Sequence, residues 1–496
     1  MMTEKQYKEL CQICDKILLL PDSTIERVAI PWLHVIREHP IFLKNYDYVF
    51  KIKNFFIFKI SLLIRSIYYY FLWLIFSINR NNNLKKWYST KKEPDEVDIL
   101  FVSHILNKSN FGKNDDFYFA NTPSKIQEEG KKVAIVCLNH TNIDSKKLSL
   151  EWNENSLERI ILTNSIIYSE EVEIRNRLVR ESERLKNGEK GKINSNSRKI
   201  FLQASVEALS PSSQKNLRLQ SQIENIVTLY NPKVLVVTFE GHAWERVAFA
   251  AARTVNKNIK CVGFHHSAIF KHQHSIRRRL NKNYDPNYIL TAGEIGKSLL
   301  IKNNNFCNIQ FEILGSNRGF HNNYNNKEKK IINSCLVLPE GYISECNLLF
   351  GFSLECAKQN PSISFIWRLH PSVSFDKLLM QNKLFKRLPN NIILSDMSLE
   401  KDIERTSLAL YRGSTAILQA IGSGLLPIYL KLEEEMSINP LYEIETSVPM
   451  VLTPSDFHKQ TTKVKKGMHL FEMNKIFDYS KKFYYPFDHH KLLDIL

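Results

Sequence analysis

The chain has 496 residues, 43% of them hydrophobic and 24% charged, which excludes a largely disordered chain and exceeds what one hydrophobic core usually holds, so two domains are expected. Lysine and arginine outnumber acidic residues 68 to 51, and the net charge of +17 favours anionic partners: nucleic acid, acidic lipid headgroups or a phosphorylated substrate. Nucleic acid is set aside, because the sequence has no zinc-finger spacing, no RNP-like aromatic strand motif and no dominant lysine-rich block.

At the N-terminus, Glu4, Glu9 and Asp15 interrupt any apolar core and no small-residue cleavage site follows, so a secretory signal is not expected and the chain is placed in the cytoplasm. Cys11 and Cys14 form a CxxC with no second pair downstream, and the eight cysteines are expected to be reduced and mostly buried rather than metal ligands. Residues 55–78 (FFIFKISLLIRSIYYYFLWLIFSI) are the most apolar and aromatic run, broken by Lys59 and Arg65. The charge-free part, from Ser66 to Asn79, is shorter than the roughly 20 residues of a spanning helix. An interfacial helix is the favoured reading, with tyrosine and tryptophan at headgroup level and Arg80, Lys85, Lys86, Lys91 and Lys92 as an anionic-lipid-facing flank. A helix buried under the first domain and a true span are the alternatives, and NRNNNLKK (79–86) reads as a loop.

From Asp98 onward, short β-branched runs alternate with longer amphipathic segments, the pattern of parallel sheets with helical crossovers. Strands are predicted at 98–105, 132–139, 234–239, 260–265 and 287–293, with a long charged helical section around 170–230. A second series follows at 334–340, 364–370, 391–396, 408–412 and 426–430, with helices at about 343–358, 398–406 and 415–422. The fold class is therefore α/β, two Rossmann-like domains facing a central cleft, with an extra N-terminal helical segment. Ligands in such sheets bind beyond the carboxyl ends of the strands, and the unusual polar clusters fall there.

The first cluster is Phe239-Glu240-Gly241-His242-Ala243-Trp244-Glu245-Arg246, where a glycine turn enters a helix and leaves Glu240 and His242 toward the cleft as candidate proton acceptors. Glu240 and Glu245 also fit as helix-start carboxylates. The second is Gly263-Phe264-His265-His266-Ser267, followed by Lys271, His272, His274 and Arg277 to Arg279. It reads either as a site for phosphate or a carboxylated sugar or as a solvated basic loop. In the second half, Pro339-Glu340-Gly341, Arg368-Leu369-His370-Pro371 and Arg412-Gly413-Ser414-Thr415 each end a strand. Ser414 and Thr415 open a helix, and proline holds His370 in an extended turn, so together they predict a nucleotide-phosphate site. Asp115-Asp116 reads as a surface pair, and no DxD-type metal motif is convincing.

RLHP (368–371) with the Ser-Thr pair (414–415) and the acidic-glycine turn (240–241) resembles GT-B transferases that use CMP-activated sugars, such as bacterial sialyltransferases and Kdo or nonulosonate transferases. TFEGHAWERVAFAAAR and GFHHSAIF are similar to bacterial surface-carbohydrate (O-antigen or capsule) biosynthesis proteins. The resemblance covers about residues 98–430 and departs from the motif at Phe239, where a second acidic residue is usual. It implies a metal-independent glycosyltransferase of surface polysaccharide biosynthesis, peripheral at the inner face of the inner membrane, passing an acidic sugar from a CMP-sugar co-substrate to a glycan or lipid-linked acceptor. Glu240 or His242 is then the base. His370, Pro371, Ser414 and Thr415, with Glu340, Gly341 and Arg368, hold the donor nucleotide and its phosphate, and His265, His266 and Glu245 meet the acceptor or an anion. The resemblance leaves residues 1–97 unaccounted for; the expected division is 1–97 a helical, membrane-surface segment, 98–325 an acceptor domain, 326–470 a nucleotide-sugar domain and 471–496 a tail packing back. A CDP-polyol phosphotransferase of teichoic-acid-like polymers and a non-catalytic assembly scaffold are the rivals; a UDP-sugar enzyme is disfavoured by the lack of a glycine-rich donor loop.

Overall fold

The computed structural model describes residues 2–78, 85–91, 93, 95–107, 115–152, 157–188, 195–302, 308–318, 333–465 and 470–496. Fourteen strands form two sheets among these residues. The first sheet is built from β1 (Trp87–Ser89), β2 (Ile99–Ile105), β3 (Val133–Asn139), β4 (Glu158–Leu162), β5 (Val234–Thr238), β6 (Lys260–His265), β7 (Tyr288–Thr291) and β8 (Gln310–Ile313). Its order is β1-β4-β3-β2-β5-β6-β7-β8, parallel except for the antiparallel edge pair β1 and β4. The second comprises β9 (Ser334–Leu338), β10 (Ser364–Trp367), β11 (Ile392–Leu394), β12 (Leu408–Tyr411), β13 (Leu426–Leu430) and β14 (Met450–Val451). Its order is β11-β10-β9-β12-β13-β14, parallel throughout.

β3, β5, β9, β12 and β13 are buried at every residue. Strands covered on both faces need continuous apolar runs, which is why these were legible as VAIVCLN, VLVVT, SCLVL, LALY and LPIYL. The predicted α/β plan of two Rossmann-like sheets is the observed one. Four strands went unpredicted: β1, β4, β8 and β14. β4 opens on two charged residues that are nonetheless buried: Glu158 accepts the hydroxyls of Ser89 (2.7 Å) and Tyr230 (2.6 Å). Arg159 stacks on Trp152 with 4.8 Å to the ring centroid.

The charged section after β4 forms the helices Tyr168–Asn187, Asn196–Glu207 and Pro211–Tyr230. Against them pack the N-terminal helices Glu4–Leu18 and Pro40–Lys51, sharing one core that includes Leu10, Cys14, Leu33, Val49, Leu178 and Phe201. The seven described cysteines are free and buried, as expected for reduced thiols.

Residues 55–78 form one continuous helix. Phe58 and Leu62 are buried in the body, and Arg65 Nη1 (2.7 Å) and Tyr69 Oη (3.0 Å) donate to Glu207. The opposite face leaves Phe56, Ile60, Leu63, Ile67, Phe71 and Ile75 exposed, so the buried-helix alternative fails. By length and composition it is the one described helix that is long and apolar enough to cross a membrane. Residues 79–84, most of the predicted loop, and Lys92 lie outside the described residues.

After the helix Leu470–Lys481 the chain returns to the first sheet. Tyr485 N–H donates to Ala292 O (2.9 Å), Ser316 N–H to Tyr485 O (2.7 Å) and Asp488 N–H to Leu314 O (2.8 Å). The second sheet is thereby tied back to the first by backbone hydrogen bonds.

Candidate functional site

A cleft of about 790 Å3 lies between the carboxyl ends of the two sheets. From the first sheet it is lined by Glu240, His242, Ser267 and Phe270, from the second by Glu340, Gly341, His370, Ser414 and Thr415, and from the N-terminal segment by Ile36, Arg37 and Phe42. Arg318, at the crossing between the sheets, completes the wall.

β5 delivers Glu240 through a turn that only glycine can make. Gly241 has φ +85°, and a Cβ there would overlap the Ser275 carbonyl. The turn then enters the helix Ala243–Val255. Ser267 Oγ donates to Glu240 Oε1 (2.6 Å), and His242 Nε2 lies 3.5 Å from Glu240 Oε2. Burial alone would raise the Glu240 carboxyl, but the His242 hydrogen bond and the surrounding imidazoles hold it well below the ordinary carboxylate range. Burial draws His242 down, and the Glu240 hydrogen bond and charge more than offset this, leaving its pKa raised. The pair is thus a firmly ionised carboxylate beside an imidazole that titrates above its ordinary value.

On the facing wall, the Ser372 backbone N–H donates to His370 Nδ1 (3.2 Å). Nδ1 also lies 2.8 Å from Ser372 Oγ, so the hydrogen bonds of the ring among the described residues are all on Nδ1 and Nε2 is left for a ligand. Burial lowers the His370 pKa, with Glu340 acting against it and Arg318 the same way. A Cβ on Gly341 would come within 2.7 Å of His370 Nδ1, so glycine lets the imidazole lie against that backbone. Ser414 and Thr415 precede the helix Ala416–Gly422, and among the described residues no hydrogen bond engages their hydroxyls or the Arg318 guanidinium.

Glu340 is held by two residues that the sequence reading passed over. Arg37 Nη2 lies 2.9 Å and His39 Nε2 2.7 Å from its carboxylate. Burial raises this carboxyl, yet the His39 hydrogen bond and the Arg37 charge pull it down to about 2. The signal was present: Arg37-Glu38-His39-Pro40 mirrors Arg368-Leu369-His370-Pro371. Both histidines accept the backbone N–H two residues on, His39 from Ile41 (3.2 Å) and His370 from Ser372. His39, Glu340 and Glu345 bring three ligand-type atoms within 4.8 Å of one another. Arg37 on Glu340 and Arg412 on Glu345 (3.2 Å) already supply the positive charge that a metal ion would bring.

Several predicted site residues stand elsewhere. Arg368 turns away from the cleft to Asp402 (2.8 Å) and the Met397 carbonyl (2.6 Å), because a buried aspartate needs a counter-charge. Pro371 is exposed beside His370 and shapes its turn without lining the cleft. Glu245 is buried and accepts the backbone N–H groups of Glu240 (3.0 Å), Gly241 (2.7 Å) and His242 (2.8 Å). Its carboxyl, pushed up to about 7 by burial, organises the turn and touches no ligand space. His265 is fully buried, with Nδ1 3.0 Å from the Phe239 carbonyl, and cannot meet an acceptor. His266 packs edge-on against Tyr118 at 4.6 Å and lies outside the cleft lining.

The basic run after β6 is structural. Arg278 is buried against His34 (2.7 Å) and Asp15 (3.1 Å), and His274 also meets Asp15 (2.9 Å), so these residues dock the first helix. Asp116, expected at the surface, is buried and accepts Ser103 Oγ (2.9 Å) and the N–H groups of Tyr118 (2.8 Å) and Phe119 (3.0 Å).

No protein-family model and no curated protein matches the chain. Among solved structures, the glycotransferase of kitacinnamycin is 10% identical with a TM-score of 0.46, covering 81% of this chain and 98% of its own. MurG of Acinetobacter baumannii is 11% identical at a TM-score of 0.45, covering 81% and 99%. The UDP-GlcNAc 2-epimerase of Neisseria meningitidis, bound to UDP-GlcNAc, is 11% identical at 0.45, covering 80% and 99%. A likeness this distant concerns the two-sheet shape and carries nothing about donor or acceptor.

Proposed function

We propose that the chain is a glycosyltransferase of surface polysaccharide biosynthesis, which transfers an acidic sugar of the nonulosonate or Kdo type from a CMP-sugar to a glycan or lipid-linked acceptor. The observation that carries this reading is the single cleft joining the Glu240 and His242 pair on one wall to His370, Ser414, Thr415 and Arg318 on the other. One wall holds a proton acceptor and the other a set of donors and positive charge suited to a phosphate.

In this reading the donor phosphate meets the His370 Nε2–H, the Ser414 and Thr415 hydroxyls and the Arg318 guanidinium. The acceptor hydroxyl lies on the first-sheet side and gives its proton to His242, whose ring Glu240 orients. The acceptor oxygen bonds to the anomeric carbon as the bond from that carbon to the phosphate oxygen breaks, and CMP leaves with the electron pair. Charge growing on the leaving phosphate is met by groups already in place, so little reorganisation is needed. The mechanism calls on no metal ion, because protein cations and hydroxyls fill that role.

The exposed apolar face of residues 55–78 supports a peripheral location on an anionic membrane. Its check is flotation with vesicles of phosphatidylglycerol and phosphatidylethanolamine. The direct test of function is incubation with CMP-N-acetylneuraminic acid or CMP-Kdo and detection of CMP release. Release abolished by His242→Ala supports the reading, whereas product that retains the nucleotide's phosphate replaces it with a phosphotransferase.

A further inference from the structure

Next to the cleft, beyond the carboxyl ends of β2, β3 and β4, lies a second cavity of about 230 Å3. The two are separated by one turn: His242 lines the cleft and Trp244 lines the cavity. Its polar wall carries the Lys215 ammonium beside the imidazoles of His104 and His140, and no aspartate or glutamate is among its lining residues. Arg218 also lines it, but that guanidinium is matched by Glu171 (3.1 Å). Lys215 has no ion-pair partner among the described residues.

His104 and His140 share a hydrogen bond of 2.8 Å from Nδ1 to Nε2, and His104 Nε2 reaches Thr238 Oγ1 at 3.2 Å. Thr238 ends β5, two residues before Glu240. Burial and the charge of Lys215 both lower the pKa of His140, and burial takes His104 to about 3. Both rings are held toward their neutral form, and the Lys215 ammonium, pressed by burial and the neighbouring Arg218, lies beside imidazoles that can donate hydrogen bonds with no carboxylate in the lining, a setting suited to an anion.

The cavity has a neighbour. A groove of about 770 Å3 shares Pro31 and Ser212 with it and runs beneath the helix Phe55–Ile78, where Ile64 and Tyr68 form its lip. The groove is also lined by the Arg65–Glu207 ion pair (2.7 Å), and its lip side chains belong to the exposed apolar helix, so an amphiphile with its anionic end in the cavity can lay its chain along that lip.

We propose that the cavity is a phosphate subsite, in which a phosphate ester is held by Lys215 and His140 beside the cleft. Its role as the acceptor's subsite rests on the transferase reading above; its anion chemistry does not. The ester belongs either to a lipid phosphate, with its chain in the groove, or to a soluble sugar phosphate.

The test is calorimetric titration of the full chain with inorganic phosphate and with hexyl phosphate in saturating CMP, which fills the phosphate site of the cleft, using the Lys215→Ala/His140→Gln and His370→Ala variants. Both substituted cavity side chains are solvent-accessible, and a thermal melt checks that the double variant keeps its fold. The expected result is that the double variant weakens both ligands about tenfold or more, as loss of charge-assisted hydrogen bonds requires, while CMP binding is unchanged. Hexyl phosphate binding tighter than phosphate, with the advantage lost in Ile64→Ser/Tyr68→Ser, assigns the lipid source; equal affinities assign the soluble one. Phosphate binding that survives the double variant, or that is lost in His370→Ala instead, overturns the subsite. Failure of CMP to bind, with phosphate still lost in the double variant, removes the transferase reading and leaves the subsite standing.

Discussion

Replacing Glu340 with glutamine removes one charge that serves two partners, Arg37 at 2.9 Å and His39 at 2.7 Å. The folded carboxyl sits at about 2 against an ordinary 4.5, and that gap is worth roughly 3 kcal/mol at ~1.4 kcal/mol per pH unit. Breaking a buried ion pair from one side costs ~3–5 kcal/mol. Arg37 keeps some water contact, so the expected loss is about 2–3 kcal/mol at pH 7. At ~2–4 °C per kcal/mol for a domain of this size, the melting temperature falls by roughly 5 °C or more. The sign with pH follows from the lowered folded value. The contribution is present in full above pH 4.5 and is lost as pH falls toward 2, so the difference between wild type and Glu340→Gln is constant from pH 7 to 5 and narrows below that. Thermal melts of both proteins at several pH values provide the measurement. A shift under 1 °C at pH 7, or a difference that grows on acidification, refutes the reasoning.

The remaining predictions concern the turn, the base and the phosphate wall. Gly241→Ala places a Cβ on the Ser275 carbonyl at φ +85° and is expected to cost ~2–4 kcal/mol, read as a lowered melting temperature. If His242 takes the proton, transfer activity rises with pH through a pKa above 6.5; Glu240→Gln moves that limb to lower pH, because the carboxylate is what raises it, and a limb that stays in place assigns the proton elsewhere. Arg368→Ala is expected to lower stability by about 1 kcal/mol, because Arg405 (2.7 Å) still pairs with Asp402, while leaving nucleotide affinity within about twofold, as calorimetry would show.

The second sheet was the more legible because its strands are continuous apolar runs that no charged residue interrupts. β4 was hidden by Glu158 and Arg159, whose burial depends on Tyr230, Ser89 and Trp152 from distant segments that no local periodicity records. The strand-end rule located the cleft residues Glu240, His242, Glu340, His370, Ser414 and Thr415. It failed where a polar side chain at a strand end serves the fold: Glu245 caps its own turn, and Arg368 neutralises Asp402. Residue type and position could not separate these roles, since they differ only in which way the side chain turns. Arg37 and His39 precede the first strand, so the strand-end rule does not reach them, although REHP repeats the form of RLHP.

In the proposed transfer, the phosphate of a CMP-sugar is held by the second sheet. Calorimetric titration of the full chain with CMP, CDP, UDP and GDP, repeated on His370→Ala, addresses it directly. The account predicts that CMP binds in preference to UDP and GDP, and that His370→Ala weakens it by about tenfold or more, the value of one hydrogen bond to a charged phosphate. Binding of UDP alone, or CMP affinity unchanged in His370→Ala, contradicts it.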